Sequence, residues 1–239
     1  MNAIPLDMLA DGAAALGIPL TPKTLTAFDT YAALLLAWNK KINLTTIVVP
    51  QQIVEKHFLD SLSIFTELPS GCTTIIDIGS GGGFPGLPIA IVRPDIQVTL
   101  VEATEKKASF LRTVISTLAL HNVTVHTGRA ETIAHLPDMR EHFDVAVARA
   151  VAQLATLAEL TIPFVRLGGV VIAQKSLGSE SVESAFVAIE TLGGTYEQEH
   201  VVALPALAER RLVIIRKTKP TLAIYPRRVG IPAKKPIGN

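Results

Sequence analysis

The feature that most constrains this chain is a cluster of glycines at the end of a short apolar run. Four of the five residues from Gly79 to Gly83 are glycine, and they follow Thr74-Ile75-Ile76-Asp77-Ile78 without a spacer. A short apolar run of that kind reads as a strand buried on both faces. One or two glycines serve an ordinary turn, whereas four together point to backbone brought close to a ligand. In an open α/β sheet, ligands bind beyond the carboxyl ends of the strands, which is where this loop falls.

The rest of the chain fits such a sheet. Apolar runs at Gln97–Glu102, Val123–Thr127, Phe143–Ala148 and Gly169–Lys175 alternate with amphipathic stretches, the pattern of parallel strands joined by crossover helices. Two more runs, Glu199–Leu204 and Arg211–Arg216, have too little chain between them for a crossover and should form an antiparallel hairpin. Upstream, Phe28, Tyr31, Leu34, Leu35 and Trp38 recur at helical spacing, as do Ile53, Val54, Phe58, Leu62 and Phe65. Pro5, Pro19, Pro22, Pro50 and Pro69 lie near the expected helix ends. The expected architecture is α/β: a mostly parallel, seven-stranded Rossmann-like sheet with an antiparallel C-terminal hairpin, preceded by helices. We divide it into a helical segment at 1–68, a ligand-binding domain at 69–219 and a basic, proline-rich tail at 220–239.

Composition sets limits. A chain of 239 residues that is 49% hydrophobic can bury a substantial core, which excludes disorder throughout. The single cysteine, Cys72, allows neither an internal disulfide nor a multi-cysteine zinc site and fits a reducing compartment. The first cation is Lys23 and no apolar run approaches the roughly 18 residues of a membrane span, so a cytoplasmic protein without leader or span is expected. The six histidines show no H-E-x-x-H or other paired metal spacing, and no metal is expected. The net charge of +1 conceals an asymmetry: residues 210–239 hold nine of the 22 Lys and Arg and no acid, leaving 13 basic against 21 acidic groups before them. That end reads either as a solvated, weakly ordered tail or as a phosphate-contacting patch.

The ligand is a separate question. Gly81, Gly83 and Gly86 fit G-x-G-x-x-G, but Pro85 and Pro88 remove two N–H groups that would face a dinucleotide's pyrophosphate. Glu102, at the end of the second strand, can accept bonds from both hydroxyls of an adenosine ribose and identifies no more than that. Asp77-x-Gly79-x-Gly81 resembles motif I of class I methyltransferases, whose cofactor, S-adenosylmethionine, has no phosphate. Arg129-Ala130-Glu131 follows the third strand, where such enzymes bracket the adenine, though Glu131 reads equally as a helix-start acid. Arg149 ends the fourth strand, at the face where substrate would meet the methyl group, and its natural partner is a carboxylate, either a structural one or that of the cofactor's methionine part.

Several motifs together resemble the bacterial small-subunit rRNA guanine-N7 methyltransferases of the glucose-inhibited division protein B family. They are Trp38-Asn39 with Asn43-Leu44-Thr45, His57-Phe58-Leu59-Asp60-Ser61-Leu62, Asp77 to Gly86, Ala148-Arg149-Ala150-Val151, and Tyr225-Pro226-Arg227 with Gly230-x-Pro232. The resemblance spans nearly the whole chain. It implies transfer of methyl from S-adenosylmethionine to guanine N7 in a decoding-region loop of 16S rRNA. Gly79, Phe84, Ala130, Glu131 and Arg149 are the cofactor contacts it implies, beside Asp77, Gly81 and Glu102 of the loop and strand ends. Two departures fall outside the cofactor loop: Ser176 stands where the family usually has glycine, and the ending Lys235-Pro236-Ile237-Gly238-Asn239 differs from its leucine-terminated form.

The chemistry of the target atom agrees. A ring carbon needs a cysteine nucleophile, and Cys72 precedes the first strand, on the wrong side of it. An exocyclic amine commonly uses Asn/Asp-Pro-Pro-aromatic, where this chain has Ala148-Arg149-Ala150-Val151. Guanine N7 carries an in-plane lone pair and no proton, so alignment and exclusion of water suffice. No dedicated acid or base is expected; Arg149 and Lys175 are the candidates nearest the methyl-transfer face. A ribose 2′-hydroxyl target stays open through Lys175. His57, Asp60 and Ser61 carry the groups of a hydrolase triad, but their spacing puts them on neighbouring turns of one helix, a packing arrangement. Trp38 reads as core, and Asn39, Lys40, Lys41 and Asn43 as helix caps or as contacts to RNA or cofactor. The expected RNA contacts are Arg210, Arg211, Arg227, Arg228, Lys234 and Lys235. The expected partner is 16S rRNA or a small-subunit particle, and the chain is expected to be monomeric. A small-molecule methyltransferase would not need the basic end, a bare RNA-binding module would not need the loop, and a nicotinamide oxidoreductase lacks a proton donor near the fourth strand.

Overall fold

The computed structural model describes residues 3–149, 152–202 and 210–238. Its frame is a seven-stranded sheet of order β3-β2-β1-β4-β5-β7-β6. The strands are β1 (Thr74–Ile78), β2 (Gln97–Glu102), β3 (Val123–Thr127), β4 (Phe143–Arg149), β5 (Val165–Ser176), β6 (Gly194–Val201) and β7 (Arg210–Lys217). The first five run parallel, and β7 enters antiparallel between β5 and β6. Chain order reverses around β1, which lies between β2 and β4, so the loops after β1 and β4 part and open a crevice.

The first three strands have the bounds their apolar runs suggest, and β4 runs one residue further, to Arg149. Three begin earlier than expected, β7 by a single residue, at Arg210. In β5 the exposed Arg166-Leu167-Gly168 interrupts the apolar pattern, so the run appeared to start at Gly169. In β6, an edge strand, Thr195 to His200 are polar except for Tyr196, and an edge needs no apolar run. The hairpin closes with Val202 N–H donating to the Arg210 carbonyl at 3.1 Å; Leu204 lies outside the described residues.

Alternation along the strands builds two cores. Ile75, Val98, Leu100, Val145 and Val147 face the N-terminal helices with α5 (Gly86–Val92) and α6 (Glu105–Leu118). Ile76, Ile78, Val101, Ala146 and Ala148 face α7 (Ala130–Ile133), α8 (Leu154–Thr161) and α9 (Phe186–Thr191). The N-terminal part comprises α1 (Leu6–Ala15), α2 (Pro22–Asn39) and a continuous helical stretch. That stretch holds α3 (Pro50–Ile53), a π-helical Val54–Leu59, α4 (Asp60–Leu62) and a tight turn Ser63–Glu67. Pro5 precedes α1, and Pro22 and Pro50 open α2 and α3, where a missing N–H costs nothing. Residues 40–49 form a loop rather than helix.

The basic end is fastened down. Arg140 donates to the carbonyls of Thr221, Leu222 and Tyr225, and Thr156 Oγ1 donates to the Pro232 carbonyl next to α10 (Ile231–Lys234). Glu159 is fully buried in α8, so it requires a cation. Arg227 supplies it at 2.6 Å.

Candidate functional site

The glycine loop is anchored from three sides. Gly79 and Ser80 N–H both donate to the Val101 carbonyl, at 2.9 and 3.1 Å, which docks the loop on β2. Glu102 closes β2 and accepts from Gly81 N–H at 2.9 Å on one oxygen and from Thr104 N–H at 2.8 Å on the other. From α2, the buried Tyr31 hydroxyl donates to the Gly82 carbonyl at 2.5 Å. Gly81 has φ 55° and Gly83 φ 95°. At Gly83 a Cβ would collide with Leu87 at 2.4 Å and the Tyr31 hydroxyl at 2.5 Å, whereas at Gly81 nothing lies nearer than the Gly79 carbonyl at 3.8 Å. Gly83 is therefore glycine for packing as well as for its positive φ, and Gly81 for its positive φ alone, its Cα facing open space.

Asp77 lies under this loop, fully buried, with one oxygen accepting from Gly86 N–H at 3.1 Å and the other without a partner. Burial lifts its carboxyl to about 7, against smaller lowering by its hydrogen bonds.

Facing the loop is a cluster that the sequence did not bring together. Arg149 Nη1 donates to Asp60 Oδ2 at 2.9 Å and to the Lys56 carbonyl at 2.8 Å, and Nη2 contacts His57 Nδ1 at 3.1 Å. Its guanidinium lies 4.9 Å from the centre of the Phe84 ring, and the His57 ring stacks on the same Phe84 at 4.3 Å. Burial, and then the Arg149 charge, hold His57 down at about 3. It is thus neutral: Nδ1 accepts from Arg149 and Nε2–H donates to Thr45 Oγ1 at 2.8 Å. Asn39 fixes that loop, accepting from Leu44 and Thr45 N–H and donating to the Thr45 carbonyl.

Between these parts lies a cleft of about 700 Å³. It is lined by Gly79 to Gly82, Phe84 and Arg149 together with Asn43 to Ile47, Lys56, His57 and Arg210. Among the described residues lining it there are three cations and no Asp, Glu or Cys.

Of the anticipated cofactor residues, the structure brings together Gly79, Gly81, Phe84 and Arg149 around the cleft, with Asp77 and Glu102 behind the loop. Ala130 is buried at the start of α7, and Glu131 accepts from Gly230 N–H at 2.9 Å, which ties it to the C-terminal segment. Lys175 lies off the cleft, donating to the Ala152 carbonyl at 2.7 Å and pairing with Glu180 at 2.5 Å. Ala150 and Val151 lie outside the described residues. The His57, Asp60 and Ser61 groups form no triad: Ser61 Oγ donates to the His57 carbonyl at 2.6 Å.

Among the anticipated RNA contacts, Arg210 lines the cleft. Arg211 is 5% exposed and pairs with Glu199, and Arg227 pairs with Glu159. Arg228, Lys234 and Lys235 are exposed. Trp38 packs on Phe110 at 5.7 Å. Among the described residues, no group of three His, Cys, Asp or Glu could hold a metal ion, and no helix is long and apolar enough to cross a membrane.

Comparison with known proteins supplies the context. Residues 24–207 match the family described as rRNA small subunit methyltransferase G. The chain is 48% identical to "Ribosomal RNA small subunit methyltransferase G" of Roseiflexus sp. (strain RS-1) over 97% of its length and 100% of that protein's. It is 45% identical to the protein of the same name from Desulforamulus reducens, over 91% and 92% respectively. In architecture it is similar to a SAM dependent methyltransferase from Aquifex aeolicus, with a TM-score of 0.53 at 15% identity, covering 69% of this chain and 92% of that one. It is similar also to the [4+2]-cyclase SpnF, with a TM-score of 0.56 at 15% identity, covering 84% and 98%.

Proposed function

The chain belongs to the rRNA small subunit methyltransferase G family, and on that premise we propose that it methylates N7 of a guanine in the decoding-region loop of 16S rRNA. The enzyme is an S-adenosylmethionine-dependent rRNA methyltransferase. When bound, the cofactor supplies an electrophilic methyl group on a sulfonium. Two features of the chain fit it. The Gly81 backbone opens on the cleft without obstruction, and Glu102, with one backbone bond on each oxygen, keeps acceptor capacity for ribose hydroxyls. We assign its binding to Asp77, Gly79, Gly81, Phe84, Glu102, Ala130, Glu131 and Arg149, the Ala130–Glu131 pair on the family resemblance alone. Asp77 acts through Gly86 and the loop rather than by touching the ligand.

The observation that carries the choice of N7 is the absence of a proton acceptor among the described residues lining the cleft. Among the described residues no carboxylate or cysteine lines it, Glu102 stands behind the loop with a backbone bond on each oxygen, and both ring nitrogens of His57 are engaged. A nucleophile with a proton to lose would be poorly served, whereas guanine N7 needs only to be aligned in a site closed to water. Arg149, clamped by Asp60, Lys56 and His57, provides a rigid wall for that alignment. The remaining parts of the reading are a cytoplasmic monomer without a metal, acting on rRNA alone or in a small-subunit particle, with Arg228, Lys234 and Lys235 as peripheral phosphate contacts.

The test combines calorimetric titration with S-adenosylmethionine and with NAD, on wild type and Gly81→Arg, with methyl transfer to unmodified small-subunit rRNA. Binding of S-adenosylmethionine that Gly81→Arg abolishes, and label recovered as 7-methylguanine, is expected. Label on a ribose oxygen or another base would overturn the N7 assignment, and binding of NAD alone would overturn the cofactor.

A further inference from the structure

Asp60 has no exposed surface, yet it faces two guanidinium groups. Its Oδ2 accepts from Arg149 at 2.9 Å, while Oδ1 lies 3.4 Å from Arg210 Nε and receives no hydrogen bond. One carboxylate between two arginines neutralises one of them, and the geometry shows which. Arg149 is hydrogen-bonded to Asp60 and 12% exposed. Arg210, 30% exposed, donates through Nη1 to Ser176 Oγ at 3.0 Å and has only the longer contact with the carboxylate. The exposed Lys56 lines the same cleft, so among the described residues the cleft carries more positive charge than Asp60 neutralises.

We propose that Arg210 is the contact for an RNA phosphate beside the reacting base, and that Asp60 is a positioning residue that holds Arg210 and Arg149 in register across the cleft mouth. This rests on the reading of the cleft as the site of base methylation. An enzyme that acts on a base draws it out of the stack. With the base in the cleft, its phosphate remains at the rim, where Arg210 stands. A guanidinium matches phosphate geometry, and the anion would supply the charge that Asp60 alone does not. The other oxyanion available to this site is the carboxylate of the cofactor, which Arg149, lying over Phe84 beside the glycine loop, is better placed to meet.

The experiment measures, for wild type, Arg210→Gln and Asp60→Asn, the S-adenosylmethionine affinity, the salt dependence of binding to a small-subunit rRNA fragment, and kcat and KM for methyl transfer. For Arg210→Gln, cofactor affinity within twofold of wild type is expected, with the slope of log K against log salt smaller by about 0.7 for one lost single-strand phosphate and KM for RNA raised. Asp60→Asn should produce the same reduction in slope, and the double variant should be no worse than the poorer single one. A slope unchanged in Arg210→Gln overturns the phosphate contact, and lost cofactor affinity in that variant assigns the arginine to the cofactor instead. Should Asp60→Asn fail to fold, Arg210→Gln with Arg210→Lys as the charge-restoring control still decides the phosphate contact. Wild-type enzyme that puts no methyl on guanine N7 overturns the functional reading separately, because the binding measurement needs no turnover.

Discussion

Arg227→Ala tests whether the basic end serves the fold or the RNA. Arg227 gives Glu159 a backbone N–H bond at 2.7 Å and side-chain bonds at 2.9, 3.1 and 2.6 Å, and gives the Lys235 carbonyl another at 2.8 Å. Truncation leaves Glu159, with no exposed surface, against one backbone donor. Breaking a buried pair by removing one partner costs about 3–5 kcal/mol. Here Arg227 is 28% exposed, so water enters the vacated space, and the backbone donor survives. The expected loss is at the lower end, about 3 kcal/mol, or about 6–12 °C in Tm for a chain of this size. Urea denaturation with an unchanged m value measures it, and RNA binding across a salt series gives the second reading. Glu159→Gln combined with Arg227→Ala should be less destabilised than the two single losses summed. A midpoint equal to wild type, together with a salt slope reduced by about 0.7, would refute the argument and make Arg227 an RNA contact.

The other predictions concern the two buried groups at the site and one glycine. Burial holds His57 at about 3 and lifts Asp77 to about 7. Below about pH 6.5 the unfolded chain protonates His57 and the native protein does not, so this contribution to stability is present above that pH and lost on acidification. Native Asp77 keeps a proton that the unfolded chain has released, so its contribution is present below about pH 3.9 and lost as pH rises towards 7. Between about pH 4 and 6.5 the slopes oppose each other at up to about 1.4 kcal/mol per pH unit each. Removing one exposes the other: acidification in this window should weaken Asp77→Asn and strengthen His57→Gln in urea titrations, and parallel profiles would refute the assignment. Gly86→Ala places a Cβ 2.3 Å from Leu100 and 2.9 Å from the Asp77 carboxyl, so a loss of about 1–3 kcal/mol with weaker cofactor binding is expected by thermal denaturation and calorimetry. Wild-type behaviour on both would mean that α5 has room to move.

What was legible in the sequence was what local pattern carries. Thr74 to Ile78 with its glycines identified β1 and the loop, because a doubly buried strand and a backbone-exposing turn each leave a mark within ten residues. The polar edge strand β6 leaves a weaker mark, and its first five residues were missed. The cluster around Arg149 leaves none, since its partners Lys56, His57 and Asp60 lie 93, 92 and 89 residues upstream. One signal was available there: His57 and Asp60 interrupt the otherwise apolar stripe of Val54, Phe58 and Leu62, and polar groups on a buried face require partners.

Charge was legible in amount but not in direction. Of the nine basic residues from 210 onwards, Arg210, Arg211, Arg216, Lys217 and Arg227 pair with Asp60, Glu199, Glu197, Glu141 and Glu159. An RNA patch requires no acidic complement elsewhere in its own chain, whereas a segment strapped to its own domain does. The surplus of 21 acids over 13 bases in residues 1–209 is that complement, set out along the chain where only the fold brings it to the cations. The cations left outside these pairs, Lys219, Arg228, Lys234 and Lys235, are all exposed. With Arg210, which meets the carboxylate already bonded to Arg149 only at 3.4 Å, and Lys56 at the cleft, they are the groups on which salt dependence should fall.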